Sequence, residues 1–281
     1  MRQAANDISA EKLKEQAKEL RKTALTMIYK AQSGHPGGSM SAADIVTALY
    51  FREMHVRPQE PLWPDRDRFV LSKGHVCPIL YAALGIRGFF DRSWFDQLRK
   101  KGSILQGHPS MNKCPGIDIS TGSLGQGIST ATGMAIGAKR DGKDFRVFTL
   151  VGDGECDEGQ VWEAAETAVK YQLDNLIVFV DNNGLQNDGA CADIMPTQDL
   201  RKKFEAFGFE AIRINGHNME EIMAALDMMR TRENGKPKAI VCDTVKGKGI
   251  SFMENVPGWH GMAPNDEQYV QAMDELEKGI G

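Results

Sequence analysis

Two apolar runs stand out near the centre of the chain, Phe145–Val151 and Leu176–Val180, both β-favouring, short and continuous enough to be strands. Runs of this kind are strands covered on both faces. Between them Trp162, Ala165, Val169 and Leu173 recur at helical spacing, which leaves Glu163, Glu166 and Lys170 for other faces. Strand, crossover helix and strand form a βαβ unit whose two strands run parallel and end on one edge of the sheet. The alternation continues with a helix over Leu200–Phe207, a strand over Phe209–Ile214, a helix from Asn218 to about Arg232 and a strand over Lys238–Val245. It predicts an α/β fold, a parallel sheet with helices on both faces.

Upstream, Leu13, Ala17, Leu20, Ala24, Ile28 and Ala31 step by three and four, a long helix that stops at Ser33-Gly34 with Pro36 beyond. Ser41 to Asp44 reads as a capping box opening a helix to about Phe51. Asp65 to Arg68 reads as the solvated rim of a proline-interrupted loop, and Arg68–Leu71 as a short strand leading through Ser72-Lys73-Gly74-His75 into an apolar helix. Residues 91–101 predict another short helix, with Trp94, Phe95 and Leu98 packed on the core. A glycine loop over Thr121–Gly127 opens a helix rich in small residues. Met223, Met228 and Met229 are expected as core filling. Lys246 to Gly249 lacks the spacing of a phosphate loop and is expected to be a flexible edge segment. A polar helix from about Asp266 to Lys278 follows.

Composition narrows the class. The 281 residues are 41% hydrophobic and 26% charged, enough for one large core, so residues 1–281 are expected to form a single domain. A net charge of −4 without a long basic block argues against nucleic acid. No eighteen-residue apolar run and a polar N-terminus argue against membrane and signal peptide. The 5 cysteines are scattered and never spaced C-x-x-C, which points to a reducing, cytoplasmic compartment and no zinc site.

Asp153 and Asn183 fall just past the two central strands, at the edge where open α/β sheets bind ligands. A carboxylate, an amide oxygen and the backbone carbonyl of Leu185 leave open positions on a small octahedral cation, and Mg²⁺ fills such positions with water and phosphate oxygens. The ligand expected is a diphosphate held through a metal. Gly152 and Gly154 permit close approach, and the helix start beyond them favours negative charge. Two other readings share the residues. Gly152, Gly154 and Asp157 imitate a dinucleotide fingerprint, with Asp where its third glycine belongs. Alternatively, Asp153 caps a helix and Asn182-Asn183-Gly184 merely turns the chain.

Gly152-Asp153-Gly154 followed by Asn182-Asn183 resembles the thiamine diphosphate and metal signature, and the wording GDGECDEGQVWEA is similar to transketolases. Ser33 to Gly38, Ser72 to His75, Gly107-His108-Pro109, Ser120 to Gly127 and His260 to Pro264 resemble motifs of the same family, in its order. They cover nearly the whole chain and match the N-terminal half of that enzyme. The resemblance implies a thiamine diphosphate-binding domain of the diphosphate (PP) type with Mg²⁺ on Asp153, Asn183 and the Leu185 carbonyl. It assigns His75, Gly122, Ser123, Leu124, Gly152, Asp153, Gly154, Glu155 and Asn183 to the cofactor. His35, His108 and His260 would serve the donor sugar and catalysis, and Glu158 an acidic network near a contact between subunits. Cys156 and Asp157 are not residues the family requires. The implied activity moves a ketol unit from a ketose phosphate to an aldose phosphate, as in pentose phosphate metabolism. The activating glutamate belongs to the family's pyrimidine-binding domain, expected here on a separate C-terminal subunit of an α₂β₂ heterotetramer. A deoxyxylulose phosphate synthase-like enzyme, a transketolase for an unusual sugar, an NAD-type nucleotide enzyme and a non-catalytic partner protein remain as alternatives.

Overall fold

The strands Arg68–Leu71 (β1), Val147–Gly152 (β2), Leu176–Asn182 (β3), Glu210–Asn215 (β4) and Lys238–Asp243 (β5) pair in the order β1-β2-β3-β5-β4, every pair parallel. The computed structural model describes residues 3–231 and 234–279, so Arg232, the expected end of one helix, lies outside the described residues. The helices are α1 (Ala10–Ala31), α2 (Pro36–Ser41), α3 (Ala43–Ala48), α4 (Cys77–Arg87), α5 (Gln126–Arg140), α6 (Gly159–Lys170), α7 (Cys191–Ile194), α8 (Leu200–Phe207), α9 (Met219–Thr231) and α10 (Asp266–Lys278).

Strand periodicity divides the core in two. Phe148, Leu150, Ile177, Phe179 and Ile240 join the cluster formed with α1, α3, α4, α9 and α10. Val147, Val151, Val178, Val180 and Val241 join the one formed with α5, α6 and α8. Each such side chain, fully buried, contributes about 1.5–3 kcal/mol. Both layers are therefore needed, as the apolar runs predict. Gly152 lies opposite Asp181, and Asn182 opposite Asp243. The carboxyl ends of β2, β3 and β5 are thus level, and the loops after them open on one edge.

Several local expectations change. Ser41 caps nothing: its hydroxyl bonds Gly38 O and Asp181, while Asp44 pairs with Arg21 and His217. The helix of that region is broken at Ala42 and ends in a π turn over Leu49–Glu53. The 91–101 segment has only a 3₁₀ turn at Arg92–Gln97, capped by Asp91. Asp67, placed on a solvated rim by the sequence, is fully buried and accepts from the backbone of His55 and Arg146. On α6 the inward stripe is Val161, Ala164, Ala165 and Ala168, and Trp162 turns toward Phe204 and Phe207. The expected methionine packing holds, with Met229 buried and Met223 and Met228 against the same cluster.

Candidate functional site

Asp153 heads a 3₁₀ turn, Gly154–Asp157, immediately after β2. Its carboxylate accepts from Gly154 N at 2.8 Å and Gly184 N at 2.5 Å. Burial and the neighbouring Asp181 nonetheless push it up to about 6, against the pull of these two amides and of Lys73. The Asn183 amide oxygen accepts from Leu185 N at 3.1 Å. Among the described residues no three His, Cys, Asp or Glu side chains gather as a metal cluster. One carboxylate, one amide and backbone carbonyls fit a hard cation that keeps phosphate and water ligands, and not zinc. The α-helix beyond the turn starts only at Gly159, and Asp157 is exposed and bonded to Gln186. The turn therefore lacks the helix end that a dinucleotide site needs, and the helix start expected beside Asp153 is displaced.

Two buried ammonium groups complete this floor. Lys73 Nζ lies 2.6 Å from Asp181, which also accepts from Ser41 Oγ at 2.6 Å and from the Thr244 hydroxyl. Burial pushes the Asp181 carboxyl up, but the Lys73 charge and these donors outweigh it and hold it below its ordinary value. Lys246, expected in a flexible edge, is buried, with Nζ 2.9 Å from Gln186 O and 3.0 Å from His260 Nδ1. It also stands 3.5 Å from the Leu185 carbonyl. Burial, with Lys73 nearby, lowers it to about 8. Sequence reasoning assigned neither lysine to the site. The available signal was position: Lys73 follows β1 and Lys246 follows β5 at the edge that carries Asp153.

Three histidines from distant segments meet above the floor. The ring of His35 is 5.2 Å from that of His75 and 5.3 Å from that of His260, and His75 and His260 are 5.1 Å apart. Burial first, then nearby cations, lowers His35 and His260 to about 4 and His75 well below its ordinary value. All three are neutral at pH 7; Nδ1 of His260 and of His35 faces a donor, Lys246 and Arg99 respectively, which leaves Nε2–H of each ring as the donor. His108 is lowered for the same reasons, burial and then Arg99. Its ring lies where a side chain on Gly122 would stand, 3.2 Å from that missing Cβ. Arg99 braces the group, with Nη1 2.8 Å from Ser33 Oγ and Nη2 3.5 Å from His35 Nδ1.

A cavity of about 460 Å³ is walled by His75, His108, Gly122, Leu124, Gly152, Asp153, Gly154, Asn183, Leu185 and His260, together with both lysines. His35 does not line the cavity but packs edge-on against His75 and His260, which do. Glu155 also reaches the wall, but its oxygens are taken by Ser72 Oγ at 2.5 Å, Gly125 N at 2.9 Å and Gly152 N at 3.0 Å. It is a strut between the glycine loop and the turn after β2 rather than a free contact. Ser123 lies apart from the cavity, exposed beside Ser120 and Thr130. Glu158 lines the mouth as the residue before α6, its side chain making no cap bond. A larger, open groove of about 930 Å³ along α1 is lined by mixed charges such as Lys12, Glu15 and Glu19 and gathers none of this chemistry.

Fold and site together define an α/β domain built to receive an anion at the carboxyl edge of a parallel sheet. Residues 12–277 match the family model described as transketolase, thiamine diphosphate binding domain. The chain belongs to the transketolase family. It is 46% identical to the 6-deoxy-6-sulfo-D-fructose transketolase subunit of Clostridium sp. (strain MSTE9), over 95% of this chain and 96% of that one. An apulose-4-phosphate transketolase subunit of Phocaeicola vulgatus is 41% identical, over 97% and 96%. Human transketolase is 43% identical over 95% of this chain but only 42% of its own length. The crystal structure of transketolase from Campylobacter jejuni superposes with a TM-score of 0.91 at 34% identity, covering 96% of this chain and 43% of that one. The chain thus spans about two fifths of these longer transketolases and nearly all of the two subunits.

Proposed function

We propose that this chain is the diphosphate-binding subunit of a transketolase, moving a two-carbon ketol unit from a ketose phosphate to an aldose phosphate with thiamine diphosphate and Mg²⁺. The observation that carries the reading is the shared edge, where a buried carboxylate, an amide oxygen and two buried ammonium groups face one cavity. Asp153, Asn183 and the Leu185 carbonyl would hold the metal. Lys73, Lys246, His75 and the Gly154 backbone would hold the diphosphate, and Gly122 and Leu124 would flank the pyrimidine. Bound thiamine diphosphate supplies the acidic carbon and the electron sink that ketol transfer needs. The neutral imidazoles of His35, His108 and His260 hold sugar hydroxyls and move protons at their oxygens.

The activating glutamate is assigned to a separate pyrimidine-domain subunit, with Glu158 toward the contact between chains in an α₂β₂ assembly. Two relatives named as subunits and matched end to end support that division. Five free, buried cysteines support a reducing compartment, the cytoplasm, and no helix among the described residues is long and apolar enough to cross a membrane. A second reading, a transketolase for an unusual sugar, is favoured by the sulfofructose and apulose phosphate named in those relatives.

The test joins calorimetry to activity. The chain, purified with its co-expressed partner, is titrated with thiamine diphosphate and Mg²⁺ and assayed for ketol transfer across a panel of ordinary and unusual sugar phosphates. Metal-dependent binding and transfer are expected in the wild type, with binding abolished in Asp153→Ala. Undiminished metal-dependent binding in the variant removes Asp153 as the ligand, and no binding by the wild-type complex removes the reading.

A further inference from the structure

A run of hydrogen bonds enters the site from behind, through residues that do not face the cavity. Val245 N donates to His217 Nε2 at 2.9 Å. A backbone N–H offers only a proton, so Nε2 is the accepting nitrogen and the imidazole proton sits on Nδ1, 2.8 Å from Asp44 Oδ2. Asp44 is gripped in turn by both terminal nitrogens of Arg21, at 3.1 and 2.5 Å, and Arg21 Nε donates to Met40 O at 3.1 Å. A carboxylate on one ring nitrogen fixes the tautomer and direction of the other. Here the oriented nitrogen meets a main-chain segment.

That segment, residues 244–247, is the root of Lys246. The Thr244 hydroxyl is tied to Asp181, and Gly247 N donates to Gly37 O at 2.9 Å. Val245 N is the donor between these two anchors. The turn bearing His217 reaches it because residue 216 has no side chain: a Cβ on Gly216 would stand 2.5 Å from Thr244 Cγ2 and 2.8 Å from Cys242 Cβ. A lysine is a point charge on a flexible four-carbon stem. Its charge is aimed only as well as its backbone is held.

We infer that His217 is a positioning residue for the cofactor's diphosphate: held by Asp44 and Arg21, it accepts the Val245 N–H and so fixes the root from which Lys246 reaches into the cavity. The inference rests on the transketolase reading of that cavity. His217→Asn keeps a donor for Asp44 and loses the acceptor for Val245, whereas His217→Gln brings an amide oxygen to where Nε2 stood. The full chain in complex with its pyrimidine-domain subunit is titrated calorimetrically with thiamine diphosphate and Mg²⁺, and thermal unfolding is recorded for every variant.

His217→Asn is expected to weaken binding about tenfold, the scale of one lost buried hydrogen bond. His217→Gln should recover most of it. In a Lys246→Ala background His217→Asn should add less than about twofold, because coupled residues are not additive. Should His217→Asn fail to fold, Gly216→Ala, which forces the turn away from Thr244, carries the same two expectations. Unchanged affinity with a lowered unfolding temperature makes His217 merely structural and overturns the inference, as does an equal loss with and without Lys246. A wild-type complex that binds no thiamine diphosphate takes down the transketolase reading as well. Normal wild-type binding matched by the variants takes down the inference alone.

Discussion

Lys73→Met isolates the electrostatic node beneath the site. The substitution keeps most of the apolar stem and removes the ammonium that lies 2.6 Å from Asp181, itself fully buried. Breaking a buried pair by deleting one partner costs about 3–5 kcal/mol, because the other charge is left uncompensated. Asp181 still accepts from the Ser41 and Thr244 hydroxyls, and hydrogen bonds to a charged group are worth about 1.5–3 kcal/mol each, which limits the loss. We therefore expect the variant to lose about 2–3 kcal/mol, a fall of roughly 4–12 °C in Tm for a domain of this size. Urea unfolding followed by circular dichroism measures it directly. The double variant Lys73→Met/Asp181→Asn leaves no lone charge and should regain at least about half of the loss, since paired sites deviate from additivity by up to about 3 kcal/mol. A single variant within about 0.5 kcal/mol of wild type, the range of an ordinary surface change, or a double variant as unstable as the two singles summed, would show that this ion pair is not what holds the node.

Acid should separate the neutral histidines from ordinary ones. His35 and His260 are lowered from 6.5 to about 4, so their share of stability is complete above pH 6.5 and is lost as pH falls toward 4, while the unfolded chain takes up protons that the folded one refuses. By pH 5 the loss is about 1 kcal/mol each after allowance for partial exposure. Urea unfolding of wild type against His260→Gln at pH 7 and pH 5 checks it, and an equal pH response in the two refutes it. Glycine substitutions test the backbone beside Lys246: Gly247 has φ +84° and its Cβ would lie 2.3 Å from Met253 O, whereas Gly88 has φ +90° with open space around it. Gly247→Ala should cost about 2–3 kcal/mol and Gly88→Ala about 1 kcal/mol, and equal costs in denaturant titrations would contradict the crowding at residue 247.

The periodic parts of this fold were legible in the sequence because each rests on burial alone. The largely apolar β2 and β3, buried along almost their whole length, required cover on both faces, and the parallel sheet with its two core layers follows. Asp153, Asn183 and His75 were legible because the loops after β2, β3 and β1 share one edge, whatever the strand order, whereas His108 and His260 were assigned only through the resemblance. What escaped was whatever depends on a partner far along the chain. Asp67 and Asp44 look like rim and cap residues until their arginine and backbone donors are in place, and Lys246 looks mobile until the Gln186 carbonyl and His260 meet it. Glu155 and Ser123 sit within motifs otherwise turned to the cavity. One carboxylate is consumed by Ser72 and backbone amides, and the hydroxyl residue lies on the outer side of its loop.

Ser41, Lys73, Asp181 and Thr244 come from four separate stretches of polypeptide, yet they close on a single carboxylate. No contiguous fragment that omits either end of this set contains all of its donors. A protease nick that releases any one of them would leave the Asp181 carboxylate short of a donor, or its donors without the carboxylate.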